Sequence, residues 1–269
     1  GVPLAIGDTA WGDPGWQTVA PSEVPLADGW PTPHALSETE IADVVTAFAD
    51  SARRTAQAGF KVLEIRGAHG YLIHSFLSSL SNQRNDGYGG DRAGRMRFAL
   101  EVTEAVRAAW PDELPLFFRI SAIDGYGWEI EDSVALATAL KERGVDVVDC
   151  SAGGITGAPA FRAQDDGKPL AKSGQRPLGF QVPYSEAIRR DGNVPTMAVG
   201  RIVDPQQAED ILQEGRADLV ALGRELMHDP FWALHAAEAL EQEDAFKLWP
   251  DQYRWAIVRR AELGQYERA

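Results

Sequence analysis

At 269 residues, 44% hydrophobic and 25% charged, the chain has the length and balance of one large globular α/β domain. Its 40 acidic and 26 basic side chains give a formal net charge of −14, which disfavours nucleic acid or anionic lipid as partners of the whole molecule. No apolar run is long enough for a membrane span, the first residues lack signal-peptide features, and the single cysteine, Cys150, allows no internal disulfide. These features predict a cytoplasmic protein. The sequence starts at Gly1 without a methionine, as a processed chain, a fragment or one piece of a longer polypeptide would.

In chain order, residues 1–36 are rich in proline and glycine, hold Trp11, Trp16 and Trp30, and show no helical period. They predict an ordered aromatic loop that lines a ligand cavity or packs outside the main fold. Ser37 followed by Glu40 is a capping box, and the periodic Ile41, Val44, Val45, Phe48 and Ala52 predict a helix over Glu38–Ala58, ending at Gly59. Apolar runs then alternate with helical patterns. Strands are predicted over Phe60–Ile65, Leu116–Ile120, Val145–Asp149, Thr196–Val199 and Leu219–Leu222. Helices are predicted over Arg92–Ala109, Ile130–Arg143, Tyr184–Arg190 and Pro205–Glu214, with a last one from Leu226.

Continuous apolar strands alternating with helices imply a parallel sheet covered on both faces. A doubly wound sheet usually carries a glycine fingerprint after its first strand, and no G-x-G-x-x-G occurs here. The pattern therefore predicts a TIM (β/α)8 barrel over residues 1–240, of which five βα units are visible, with 241–269 as a separate tail. Five parallel strands leave two open edges, so something must complete the barrel.

After the first predicted strand come Arg66, His69 and Tyr71, a cation, an imidazole and a phenol at the end of a barrel strand where active sites lie. Such a group can hold an oxyanion and deliver a proton; alternatively His69 and Tyr71 are hydrogen-bonded loop anchors. The same stretch reads His69-Gly70-Tyr71-Leu72, Phe76-Leu77-Ser78, Ser81-Asn82-Gln83-Arg84, Asp86-Gly87-Tyr88-Gly89-Gly90 and Arg95-Met96-Arg97-Phe98. This order of motifs resembles the signature of the Old Yellow Enzyme family of ene-reductases, closest to its short-loop bacterial subclass. The resemblance runs from about Pro21 to Trp232.

It implies that the five units are the fourth to eighth of the barrel, with the first three absent. It further implies FMN as cofactor, NADPH or NADH as hydride donor, and transfer of hydride to the β-carbon of an activated alkene. On the family pattern Tyr71 is the proton donor, and His69 is the second of two residues that hold the activating oxygen. The first of that pair is His or Asn in the family and Arg66 here. That change allows altered substrate choice, retained enone reduction or loss of the activity, and Arg66 could also turn to Glu64 or Asp86.

Arg119, inside a strand where a charge needs a partner, matches the family's arginine against the flavin's N1 and C2 carbonyl; an ion pair with Asp149 is the alternative. Val199, Gly200 and Arg201, with Gly223 and Arg224, match the positions that hold the FMN phosphate, in glycine turns ahead of helix N-termini. Cys150 reads as packing. The insert Ala158–Gln181, with Arg162, Lys168, Lys172 and Arg176, fits a lid, an NADPH docking point or a solvated loop. His74, His228 and His235 lack metal-ligand spacing, so no metal is predicted. An iron–sulfur cluster, as in a dienoyl-reductase relative, is ruled out within the chain by its one cysteine.

The tail around Tyr253, Arg254 and Trp255 resembles tails that reach a neighbouring subunit, so the expected partners are a small-molecule substrate and either a second copy or a chain carrying the first strands. A non-catalytic barrel half is the alternative from another class.

Overall fold

The computed structural model describes residues 9–10, 13–26, 30–155 and 176–264. Its centre is a five-stranded parallel sheet: β1 Leu63–Gly67, β2 Leu116–Ser121, β3 Val147–Ser151, β4 Thr196–Val199 and β5 Leu219–Ala221. Each strand pairs with the next in the chain, so the spatial order is the sequence order. A doubly wound sheet reverses its order at a switch point; this sheet has no reversal, as in a barrel wall. Two-residue pairings, 9–10 with 13–14 and 19–20 with 34–35, shape the N-terminal loop.

The helices are α1 Glu38–Gln57, α2 Leu72–Leu77, α3 Arg92–Ala109, α4 Ile130–Lys141, α5 Val182–Gly192, α6 Pro205–Gln213, α7 Arg224–His228, α8 Trp232–Ala239 and α9 Asp251–Glu262. The capping box at α1 forms in both directions, with the Ser37 N–H donating to Glu40 Oε2 at 2.8 Å and the Glu40 N–H donating to Ser37 Oγ at 3.3 Å. Ile41, Ala49 and Ala52 then fall on the buried stripe.

Side chains alternate across each strand. Ile65, Phe118, Ile120, Val148 and Cys150 join Trp110, Trp128 and the helix faces in the main core. Glu64, Arg66, Arg119, Asp149, Ser151, Met197 and Val199 take the opposite parity, which is the barrel interior. A smaller core under α6 and α8 gathers Val182, Ala198, Ile202, Ile211 and Trp232.

Three boundaries differ from the sequence reading. The first strand forms at Leu63–Gly67, because Phe60 and Val62 stay 61% and 47% exposed at the open edge. The third starts at Val147: the Val145 N–H closes the turn after α4 on the Leu140 carbonyl, and Asp146 Oδ2 accepts from the Leu116 N–H. The final predicted helix is broken into α7 and α8 at Asp229-Pro230, since proline cannot continue the amide ladder. The six-residue α2 is too short to register as a period. Among the described residues no helix is long and apolar enough to cross a membrane.

Candidate active site

At the end of β1 the chain turns sharply. His69 has φ +60, a left-handed conformation that a non-glycine residue adopts only when held there, and Gly70 follows at φ +78. The holding contacts come from neighbouring strand ends. The His69 N–H donates to Ser121 Oγ at 3.0 Å, and that hydroxyl donates onward to the Gly153 carbonyl at 2.7 Å. The Gly70 N–H donates to His74 Nδ1 at 2.8 Å. A Cβ on Gly70 would stand 2.4 Å from the Gly154 carbonyl oxygen, so the loops after β1 and β3 touch through their backbones.

The His69 ring is neutral near pH 7, because burial first, then the charges of Arg119 and Arg66, lower its pKa to about 4. Arg66 Nη2 lies 3.4 Å from His69 Nδ1. A guanidinium can only donate, so Nδ1 is the acceptor and the imidazole proton belongs on Nε2. The same guanidinium carbon lies 4.2 Å from the centre of the Tyr71 ring. Arg66 therefore turns to neither acid: Asp86 is held at 2.6 Å by Arg84 Nη2, and Glu64 makes no ion pair with Arg66 within 4 Å. Tyr71 itself is exposed at the start of α2.

On β2 and β3, Arg119 Nε lies 3.1 Å from Asp149 Oδ2, and Nε and Nη2 donate to Ser151 Oγ at 3.1 and 2.9 Å. The ion pair expected as an alternative thus exists, and Arg119 also faces a cavity. That cavity, of about 300 Å³, is lined by His69, Arg119, Ser151, Gly200 and Arg224, among others. An adjoining cavity of about 430 Å³ is lined by Val199, Gly200, Arg201, Gly223 and Arg224.

Both spaces lie at the carboxyl ends of the strands and share Val199, Gly200 and Arg224. Residues up to 156 apart in sequence line a continuous strip from His69 to Glu225. Tyr71 opens instead onto a third cavity, of about 620 Å³, walled by Trp16, Trp30, Leu72 and Ile155 and, among the described residues, by no charged side chain.

Gly200 sits at φ +124, where a Cβ would meet the Gln181 and Phe180 side chains at 2.9 Å. A Cβ on Gly223 would meet nothing within 4 Å, and Arg224 has no carboxylate in ion-pair reach among the described residues. A cation beside an open glycine turn suits an anionic group. The helix contribution is smaller than expected. The helix α6 is already capped by Asp204, whose side chain accepts from the Gln207 N–H, and α7 has only five residues. Arg201, at φ +55, spends a guanidinium nitrogen on the Arg176 carbonyl.

Most of the signature that carried the resemblance is scaffold. Asn82 Nδ2 donates to the Phe76 and Tyr88 carbonyls at 2.7 and 2.8 Å, and Arg84 ties the Pro21 and Leu36 carbonyls of the N-terminal loop to Asp86. Tyr88 and Arg97 both bond Glu101, and Arg95 holds the Leu77 carbonyl.

Sequence reasoning missed Ser121, Ser151 and Gln181, whose amide donates to the Val199 carbonyl at 2.9 Å; single polar residues at strand ends carry no pattern. Cys150 is buried with its thiol pKa pushed well up by burial. Of the insert, residues 158–175, with Arg162, Lys168 and Lys172, lie outside the described residues.

Residues 17–243 match the NADH:flavin oxidoreductase / NADH oxidase family. An NADPH dehydrogenase of Geobacillus thermodenitrificans (strain NG80-2) is 46% identical over 226 residues, 83% of this chain and 62% of that protein. One of Bacillus subtilis (strain 168) is 42% identical over 226 residues, with the same shares. The solved structure of morphinone reductase in complex with tetrahydroNAD superposes with a TM-score of 0.63 at 26% identity, covering 83% of this chain and 61% of that one.

An old yellow enzyme homologue from Zymomonas mobilis gives 0.65 at 24% identity over 84% of this chain and 62% of that one, a likeness of fold. The chain spans about 62% of the length of the curated relatives named here, and its five βα units are part of a TIM barrel. With the family pattern matched over residues 17–243, the chain belongs to the NADH:flavin oxidoreductase / NADH oxidase family.

Proposed function

We propose that this chain forms the FMN-holding and proton-delivering part of an ene-reductase, an NAD(P)H-dependent flavin oxidoreductase acting on an activated C=C bond. The observation that carries this reading is the strip of cavity on which His69, Arg119, Gly200, Gly223 and Arg224 meet. The donor set suits FMN: Arg224 and the open turn at Gly223 for the phosphate, Val199 and Gly200 beside them, Arg119 for the electron-rich edge of the ring. Bound FMN supplies the two-electron chemistry that links NADPH or NADH to the alkene.

The chain's own residues do the rest. Neutral His69, with its proton on Nε2, donates to the substrate oxygen where negative charge develops. Tyr71 delivers the proton to the α-carbon. Arg66 is a positioning residue in this scheme: it sets the His69 tautomer and lies against the Tyr71 ring. The uncharged walls beyond Tyr71 favour an apolar substrate body. Exposed Tyr253 and Trp255 on α9 support the tail as a subunit contact, with dimerisation measured by sedimentation.

Flavin absorbance bleached by NADPH and restored by an enone or nitroalkene tests the reading. Tyr71→Phe should lower alkene reduction about 100-fold while flavin reduction stays normal. Equal alkene reduction in both proteins removes Tyr71 from the role.

A second reading is favoured by the apolar edges at β1 and β5, where Phe60, Val62 and Leu219 are exposed: a barrel half that takes up flavin only with complementary strands. FMN uptake by the chain alone separates the two.

A further inference from the structure

Two carboxyl groups in the barrel interior have no part in the scheme above. Glu64 of β1 and Asp149 of β3 flank Arg119 of β2, with Arg66, Arg119 and Asp149 in one register row and Glu64 one interior position below. Asp149 is 4% exposed and paired through Oδ2 to Arg119 Nε at 3.1 Å, but its buried Oδ1 finds no donor among the described residues. The acid that bears on Asp149 from the same interior face is Glu64 of β1.

Two carboxylates cannot bond each other, so if both were ionised Oδ1 would stay unpaired, and balancing the second negative charge would fall to Arg66, whose guanidinium lies against His69 and the Tyr71 ring. One proton removes both defects. It converts one acid into a donor for the other and leaves the cluster of Glu64, Arg119 and Asp149 neutral.

We propose that Glu64 and Asp149 hold a single proton between their carboxyl groups at neutral pH and, as positioning residues, keep Arg119 aligned toward the cavity with its charge balanced by one carboxylate only. The electrostatics run the same way: burial raises Asp149 to about 7, against the pull of Arg119, and burial also raises Glu64. The charged or titratable groups around the pair are Arg66 on β1, Arg119 on β2, His69 at the end of β1, and the thiol of Cys150 on β3. From β4 and β5 the interior positions are Met197, Val199, Leu219 and Ala221, none of which titrates.

Loss of the shared proton as pH rises places a second negative charge beside Arg119. That weakens the stabilisation Arg119 offers to an electron-rich ring edge, a consequence that rests on the reading of Arg119 under FMN.

Infrared difference titration of the purified chain reads the proton directly. A protonated-carboxyl C=O band is expected at neutral pH, lost on alkaline titration, and absent in both Glu64→Gln and Asp149→Asn. No band in the wild type, or a band persisting in both variants, overturns the proposal. Glu64→Gln keeps an amide donor for Oδ1 and so tests the idea even where Asp149→Asn fails to fold.

In the FMN-loaded protein, the midpoint potential should bend with pH in the wild type and lose that bend in Glu64→Gln. Identical curves overturn the link to Arg119. Failure of the chain to take up FMN counts against the flavin reading, and the infrared titration still decides the proton.

Discussion

The two halves of the strand-end surface are built differently. After β1 and β3, His69 is held in a left-handed conformation by Ser121, Gly70 is bonded to His74, and Gly154 packs on the His69 backbone, where a Cβ would be 2.6 Å away. Above β4 and β5, strands of four and three residues end in turns where Gly223 faces open space and Arg224 meets no carboxylate among the described residues. Leu219 on β5 is 41% exposed, whereas every residue of β3 is buried. The side proposed for proton delivery is thus held by protein contacts, the condition that transition-state stabilisation sets, and the side proposed for phosphate is left open.

The contrast can be broken first at Gly70. An alanine there would be strained at φ +78 and would drive its Cβ into the Gly154 carbonyl, so Gly70→Ala should cost about 4 kcal/mol in urea unfolding. A cost under about 1 kcal/mol would mean the loops are not locked together.

Next is acid. His74 is buried and neutral, its pKa lowered by burial from 6.5 to about 4, so its contribution is fully present above pH 6.5 and lost as pH falls toward 4. The loss amounts to about 3 kcal/mol. Measured against His74→Gln, the wild type should lose that advantage over this window, with His69 acting in the same direction. Asp149 opposes them: its pKa is raised from 3.8 to about 7, so its share is present below 3.8 and lost as pH rises through 7.

The smallest stability effect belongs to the other half. Gly223→Ala adds a Cβ to empty space and should change stability by about 0.5 kcal/mol or less, yet weaken FMN binding about tenfold if the turn cradles the phosphate. Unchanged FMN affinity in a titration would reject Gly223 as part of the cradle.

Some of this could be read along the chain. The apolar runs near Phe118, Val148 and Ala198 marked parallel strands, Ser37 and Glu40 marked the start of α1, and the glycine-arginine pairs after the last two strands marked the turns that line the cavities. Burial on both faces and capping are local properties, written within a few residues.

Other features arise only when strands come together. Phe60 and Val62 have strand composition but sit at an unpaired edge, and Ser121 reaches His69 across 52 residues. Arg66 was chemically open until the turn at His69 placed the imidazole and the Tyr71 ring around it. The sequence by itself determined the alternation of strands and helices and the chemistry available at each strand end. Tertiary structure decided which of those groups meet, because hydrogen bonds and charge pairs between strands depend on register, which joins residues far apart in the chain.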